Sequence, residues 1–139
     1  MANEAVLVFK IEEPIPFTVA NATGIEKGAL CVMSDPMTAA TASATTSICA
    51  GIAASEKVAS DGKTKLGIYR HGIFKVYLSG ACTIGAPLTC IPEASHPNYM
   101  IIAAASTCSG SKTWGYALET GADNETILMD LSPGTGAAL

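Results

Sequence analysis

Short segments in which apolar and polar residues alternate run along this chain, and glycines separate many of them. Turn glycines stand directly ahead of Ala29-Leu30-Cys31-Val32, of Lys63-Thr64-Lys65-Leu66 and of Ile73-Phe74-Lys75-Val76. A period of two predicts β-strands, because successive side chains of a strand point to opposite faces. We count about eight to ten such strands without an internal linker. The sequence therefore predicts one compact all-β domain, either a barrel-like fold or a sandwich.

The first strand is predicted within residues 5–12, which are apolar on both faces except at Lys10. Pro14 and Pro16 follow and fix an extended connector, which cannot be a central strand because it lacks two backbone donors. Two interpretations are open: an ordinary first strand inside the domain, or an arm that adds a strand to a neighbouring protein's sheet. The candidate capsid or subunit contacts on such an arm are Val6, Leu7, Val8, Phe9, Ile11, Pro14 and Pro16.

Three segments are assigned along the chain. Residues 1–16 form an extended N-terminal arm and residues 17–131 form the β domain. Residues 132–139, which contain proline, two glycines and small side chains, are expected to be a flexible C-terminal tail.

A hairpin is predicted between Thr64 and Leu78. A three-residue loop that ends at Gly72 pairs Ile68 with Phe74 and keeps the apolar side chains on one face, whereas a two-residue loop would set Lys75 opposite Ile68. Gly72 then occupies the loop position that needs a left-handed backbone, so we predict that it is a structural turn residue.

One segment of the chain echoes another. Ile84-Gly85-Ala86-Pro87-Leu88 is similar to Ile25-Glu26-Lys27-Gly28-Ala29-Leu30. The likeness covers only a few small and apolar residues, and by itself it does not predict an internal repeat.

The charge of the chain is low, since 14% of residues are charged and the net charge is -4. A neutral surface fits a subunit that packs against others, and it also fits an ordinary soluble protein. The eight basic residues are scattered, so nucleic acid is not an expected partner. Lys10, Glu12 and Glu13 interrupt the apolar start of the chain, so neither a signal peptide nor a membrane span is predicted, and we expect no membrane partner.

No catalytic motif is present in the sequence. His71 and His96 have no carboxylate or cysteine at a catalytic or metal-binding spacing, and we expect both to be exposed loop residues. Trp114 is expected to anchor the core or a subunit contact. We therefore predict no catalytic residue, no metal site and no cofactor, and we do not expect an enzyme.

The cysteines are odd in number and lack a Cys-x-x-Cys pair, so neither a disulfide framework nor a zinc site is indicated. We expect most of them to be buried core residues in a reducing compartment. They are Cys31, Cys49, Cys82, Cys90 and Cys108.

Several glycine-containing segments recur along residues 15–95: Gly24 to Val32, Ala50-Gly51-Ile52-Ala53, Asp61-Gly62-Lys63-Thr64, Gly72-Ile73-Phe74, Ser79-Gly80-Ala81 and Ile84 to Leu88. In this succession the chain resembles the small decoration, or cement, proteins of tailed-bacteriophage heads. The resemblance implies a β-tulip or barrel-like fold and homotrimers on the outer surface of the capsid, assembled in the host bacterial cytoplasm and added after the shell has expanded. It implies the major capsid protein and other copies of the chain as partners in the virion. Because a trimer engages several capsid subunits at once, modest contacts would combine to stabilise the shell.

Two other functions are compatible with the sequence. A tail, spike or receptor-binding component of a virion would also be rich in β-strands and lack catalytic residues. A small enzyme or ligand-binding β-barrel would instead need a pocket lined by convergent polar groups.

Overall fold

The described part of the chain forms eleven β-strands. The computed structural model describes residues 4–42, 48–91, 99–102 and 112–133. The strands are β1 (Val6–Lys10), β2 (Ile15–Thr18), β3 (Leu30–Asp35), β4 (Thr38–Thr41), β5 (Cys49–Ala53), β6 (Lys65–Tyr69), β7 (Gly72–Leu78), β8 (Pro87–Cys90), β9 (Tyr99–Ile102), β10 (Gly115–Ala117) and β11 (Thr126–Leu131).

Five strands form a closed barrel in the order β2-β4-β3-β5-β6, which we call barrel 1. Its neighbours are antiparallel except for β2 and β4, whose parallel pairing at Thr18 and Thr38 closes the ring. The alternating apolar residues of these strands fill the inside, as a period of two requires. The buried residues of this core are Phe17, Val19, Ile25, Ala29, Cys31, Ala39, Ala50, Ala53, Leu66 and Ile68.

The next five strands form a second ring, in the order β7-β11-β10-β8-β9. Here too one parallel pairing closes the ring, between β7 and β9 at Tyr77 and Tyr99. We call this ring barrel 2. Strand β1 lies outside both rings and pairs antiparallel with the first half of β7.

The two barrels are structural repeats of one another. Strands β2 to β6 correspond in order and direction to β7 to β11, and the pair β2–β6 has the same register as the pair β7–β11. The amide of Gly28 donates to the carbonyl of Ala53 in barrel 1, and the amide of Gly85 donates to the carbonyl of Ala117 in barrel 2. Gly28 and Gly85 have φ angles of 83° and 84°, in the left-handed region that favours glycine. The short sequence echo around these glycines is therefore the visible part of a repeat that spans both barrels.

A close backbone approach repeats as well. A Cβ atom on Gly51 would overlap the carbonyl oxygen of Tyr69, and one on Gly115 would overlap the carbonyl oxygen of Asp130. Gly51 and Gly115 occupy equivalent positions, as do Tyr69 and Asp130. Both barrels therefore need glycine at the same point of the same strand pair.

Barrel 1 packs against barrel 2 through the outer face of β3 and β5. Leu30, Val32, Cys49 and Ile52 point away from the core of barrel 1 and join the apolar cluster of barrel 2. This explains why every residue of β5 is buried, since one face lines barrel 1 and the other lies between the barrels. The two barrels therefore form one compact all-β domain, as predicted.

The predicted hairpin from Thr64 to Leu78 is wrong. Strand β6 pairs with β2 and β5, whereas β7 pairs with β1, β11 and β9. Residues between β6 and β7 are the crossover from one barrel to the other. Gly72 is therefore not a turn residue: it begins β7, opposite Lys10 and Leu131. A Cβ atom there would lie 3.0 Å from Cε1 of Phe74, so the position is tight for a different reason.

The expectation that Pro14 to Pro16 is only a connector also needs correction. Pro16 is the second residue of β2 and lies opposite Gly67 of β6. It is tolerated because the other neighbour of β2, strand β4, pairs with it at Thr18 and not at Pro16.

Candidate interaction surface

Strand β1 is the described strand that belongs to neither closed ring. It uses one edge to pair with β7, in a register that a bulge between Leu7 and Phe9 shifts by one residue. No pairing of its other edge is found among the described residues. Closed barrels have no free edges, so the outer edge of β1 is where a further strand could add to this fold.

The side chains of β1 make this edge apolar. Leu7 packs against the shared core, but Val6 is 55% exposed, Phe9 64% and Ile11, just beyond the strand, 60%. Val8 is also exposed. Neighbouring exposed apolar side chains are typical of interaction sites rather than of a free surface. We call Val6, Val8, Phe9 and Ile11 the arm patch.

The two prolines that the sequence grouped with these residues lie elsewhere. Pro14 is half-buried and lies beside Gly67 of β6, where its Cβ would be 3.1 Å from a Cβ on that glycine. Pro16 is exposed on β2. Both prolines therefore belong to the wall of barrel 1, while the arm patch belongs to the strand added to barrel 2.

Besides the pairing of β1 with β7, two contacts tie the arm to the rest of the fold, and a third lies within the arm. The amide of Ala5 donates to the carbonyl of Gly28 at 3.1 Å, which ties the arm to barrel 1. Lys10 Nζ lies 2.7 Å from Glu13 Oε1, and this hydrogen bond and the charge of Glu13 raise the pKa of Lys10. His71 Nδ1 lies 2.8 Å from Glu12 Oε1, which ties the end of the arm to the crossover between the barrels.

His71 is therefore a half-exposed residue with a carboxylate partner, which the sequence did not indicate. Glu12 and His71 are 59 positions apart and meet only because β1 pairs with β7. His96 and Cys108 lie outside the described residues.

A cavity of about 530 Å³ lies where the arm and the two barrels meet. Its walls are largely apolar and include Leu7 from the arm, Ile52 from β5 and Phe74 from β7, with Glu4 and Lys27 as charged residues. The arm therefore covers this part of the barrel junction without filling it.

The described cysteines are free and buried, as predicted for core residues. Burial raises the pKa of the thiols of Cys31 and Cys90 to about 12, and it also raises the pKa of Cys49 and Cys82. Thiols with such pKa values are not nucleophiles at neutral pH.

Among the described residues, no group of three or more histidine, cysteine, aspartate or glutamate side chains is placed to hold a metal ion. Within the same part of the chain, no helix has the length and apolarity needed to cross a membrane. Trp114 is buried in the core that the barrels share.

A second exposed apolar area was missed by the sequence analysis. Ile84 is 64% exposed and Leu118 is 39% exposed, and they flank the hydrogen bond from Gly85 to Ala117.

No protein-family model matches the chain, and no curated protein matches it. Among solved structures, the chain is similar to "the crystal structure of head fiber gp8.5 N base in bacteriophage phi29". The TM-score is 0.54 and the sequence identity is 16%, and the match covers 88% of this chain and 98% of that one. The chain thus has the fold of that head-fibre base.

Proposed function

We propose that this chain is a structural protein of a bacteriophage head, and that it binds the outer surface of the capsid as a decoration protein. The observation that carries the proposal is the fold likeness to the base of a phage head fibre, which covers nearly all of both chains. The sequence resemblance to head decoration proteins favours the same class independently.

In this proposal the partners are the major capsid protein and two further copies of the chain, which form a homotrimer. Each trimer bridges neighbouring capsid subunits and stabilises the expanded shell, because several contacts in one rigid body act together. No catalysis, cofactor, nucleic acid or membrane is part of this function. The protein assembles onto the virion in the cytoplasm of the host bacterium.

The arm patch is the contact that we assign to the capsid. Its exposed side chains lie beside a strand edge that no described strand occupies, so a capsid segment could add to the edge and cover the patch together. Main-chain hydrogen bonds would supply the affinity and the apolar side chains the specificity.

Binding to purified heads that lack the protein tests this assignment. The variant Phe9→Glu with Ile11→Glu keeps Leu7 in the core and changes only exposed side chains, so it should fold. We expect its occupancy on heads to fall by about tenfold or more, since charges would be desolvated at the contact. Met37→Asp is the matched control, because Met37 is also exposed and apolar but lies in the turn between β3 and β4.

Two results would contradict the proposal in different ways. Full occupancy by the double variant would remove the arm patch from the capsid contact but leave decoration intact. Failure of the wild-type protein to bind heads at all would overturn the decoration function.

A second candidate follows from the structural likeness, since that structure is the base of a fibre. The chain would then anchor a projecting fibre, as a spike or receptor-binding part of the virion. Electron microscopy separates the two functions: decoration predicts many low densities over the shell, whereas a fibre base predicts a long projection at each occupied position.

A further inference from the structure

The repeat allows each surface of barrel 2 to be compared with its counterpart in barrel 1. In barrel 1, Leu30 and Ile52 on the outer face are 0% and 1% exposed, because the arm and barrel 2 cover them. The equivalent residues of barrel 2 are Pro87 and Tyr116, and both are half-buried. The counterparts of Val32 and Cys49, which are Thr89 and Thr113, are buried in barrel 2 as well. The part of the face around Pro87 and Tyr116 is therefore an internal interface in barrel 1 and half-accessible in barrel 2.

The two left-handed glycines show the same difference. A Cβ atom on Gly28 would lie 2.6 Å from the carbonyl oxygen of Ala5 and 2.8 Å from Cβ of Glu4, because the arm runs against it. Around Gly85, no atom of the described residues lies within 4 Å of the equivalent point. The backbone that receives the arm in barrel 1 is thus present in barrel 2, and no described segment runs against it.

The open face is also more apolar at its rim. Ile84 stands where barrel 1 has Lys27, and Leu118 stands where barrel 1 has Ala54. Both are exposed apolar side chains, whereas the corresponding positions of barrel 1 hold an exposed lysine and a half-buried alanine. We call Ile84, Pro87, Tyr116 and Leu118 the outer strip of barrel 2.

We propose that the outer strip of barrel 2 is the subunit interface and that its partner is barrel 1 of a second copy of this chain. Within one chain, Ile52 of barrel 1 and Phe74 of barrel 2 belong to the same apolar cluster and line the same cavity at the barrel junction. The residue of barrel 1 that corresponds to Phe74 is Ile15, which is half-buried and apolar. A second copy can therefore present to the outer strip a surface of the kind that covers its duplicate.

Such a contact joins different surfaces of two copies, so it is heterologous and must close into a ring or grow into a filament. The inference rests on the trimer of the proposed function, and it names the surface that holds the trimer together. Three copies would place six barrels around one axis, with similar junctions within and between subunits. This assigns the arm patch and the outer strip to separate partners, the capsid and the neighbouring subunit.

Molar mass in solution tests the interface. The wild-type protein should run at three times the subunit mass of 14.1 kDa in size-exclusion chromatography with light scattering. Leu118→Asp and Ile84→Asp each change an exposed side chain, and each should shift the population towards the monomer by at least about tenfold in dissociation constant. Met37→Asp should keep the wild-type mass. Circular dichroism and thermal unfolding check that every variant is folded.

The outcomes separate this interface from the proposed function. Wild-type protein that remains a monomer at every concentration overturns the interface, as do Leu118→Asp and Ile84→Asp variants that both keep the trimer mass. If those variants stay trimeric and still decorate heads, the decoration function stands without this interface. If they become monomeric while wild-type protein fails to bind heads, the interface stands and the decoration function falls.

Discussion

At the scale of single residues, Lys57 has an unusual environment for a lysine. Its ammonium group is buried and donates to the carbonyl oxygens of Asn21, Thr23 and Val58 at 2.7 to 3.2 Å, and it lies 3.4 Å from Asp61 Oδ1. It thus holds together the two loops at one end of barrel 1. The equivalent position in barrel 2 is Gly121, whose neighbours Leu78 and Ile127 fill the space instead.

We expect Lys57→Met to lower the free energy of unfolding by about 1–3 kcal/mol, because three carbonyl groups lose a charged donor. Chemical denaturation measures the change. Lys63→Met is the control, since Lys63 is exposed and its substitution should have little effect. Equal stability of the two variants would show that the hydrogen bonds of the Lys57 ammonium group contribute nothing to the free energy of unfolding.

The buried thiols make stability depend on alkaline pH. In the unfolded chain a thiol ionises near pH 9, whereas in the folded chain the pKa of Cys31 is raised to about 12 by burial. Above pH 9 the unfolded state binds fewer protons than the folded state, so stability is lost as the pH rises from about 9 to 12. One thiol accounts for up to about 4 kcal/mol over this window.

We therefore expect the Cys31→Ala variant to lose less stability than wild-type protein between pH 9 and 11. Urea denaturation at each pH gives the free energy of unfolding, and its slope against pH is compared between the two proteins. The difference at pH 7 measures the loss caused by the cavity that the substitution creates. Equal slopes for the two proteins would contradict the assignment of the alkaline loss of stability to the Cys31 thiol.

At the scale of strands, the repeat predicts that equivalent glycines respond alike. Gly51→Ala and Gly115→Ala should each destabilise the protein by several kcal/mol, on the order of 3 or more, because the new methyl group overlaps a carbonyl oxygen of the neighbouring strand. Thermal unfolding measures both. Gly24→Ala is the comparison, since its Cβ would lie 3.3 Å from the carbonyl oxygen of Lys57, which is tight but not an overlap, so a much smaller loss is expected. A large loss at only one of the two sites would argue against equivalent barrels.

The sequence predicted the positions of the strands better than it predicted their pairing. Alternation located most strands and identified the inward faces of β6 and β7, where Leu66, Ile68, Phe74 and Val76 are buried. It did not identify their partners, because the same alternation fits any strand with an apolar face. The hairpin prediction assumed that neighbours in sequence pair, whereas each strand instead closes a different barrel.

At the scale of the whole molecule, the shared core couples the barrels. Ile52 belongs to barrel 1, is 1% exposed and packs in the cluster of barrel 2. We expect Ile52→Ala to lower the stability by about 2–4 kcal/mol through the cavity it leaves. Fluorescence of Trp114, which reports on barrel 2, and far-ultraviolet circular dichroism, which reports on both barrels, should shift together. Separate transitions would show that the barrels unfold independently.

The two candidate interaction surfaces differ in how far the sequence predicted them. The apolar character of Val6, Phe9 and Ile11 could be seen in the sequence, and the structure adds that they are exposed beside a free strand edge. The outer strip of barrel 2 could not be predicted, because it is recognised only by comparison with a buried duplicate. The likeness to the head-fibre base also depends on the course of the chain rather than on residue identity, since the two sequences are 16% identical.

By itself, the sequence determined the local features: strands from a period of two, the burial of the four described cysteines, and an apolar first strand. These follow from short-range chemistry that each segment carries within itself. Only the tertiary structure decided that the strands form two equivalent barrels, that His71 meets Glu12, and that Lys57 is caged by carbonyl groups. These contacts join residues far apart in the chain, and their free energy depends on which surfaces meet, which no single segment specifies.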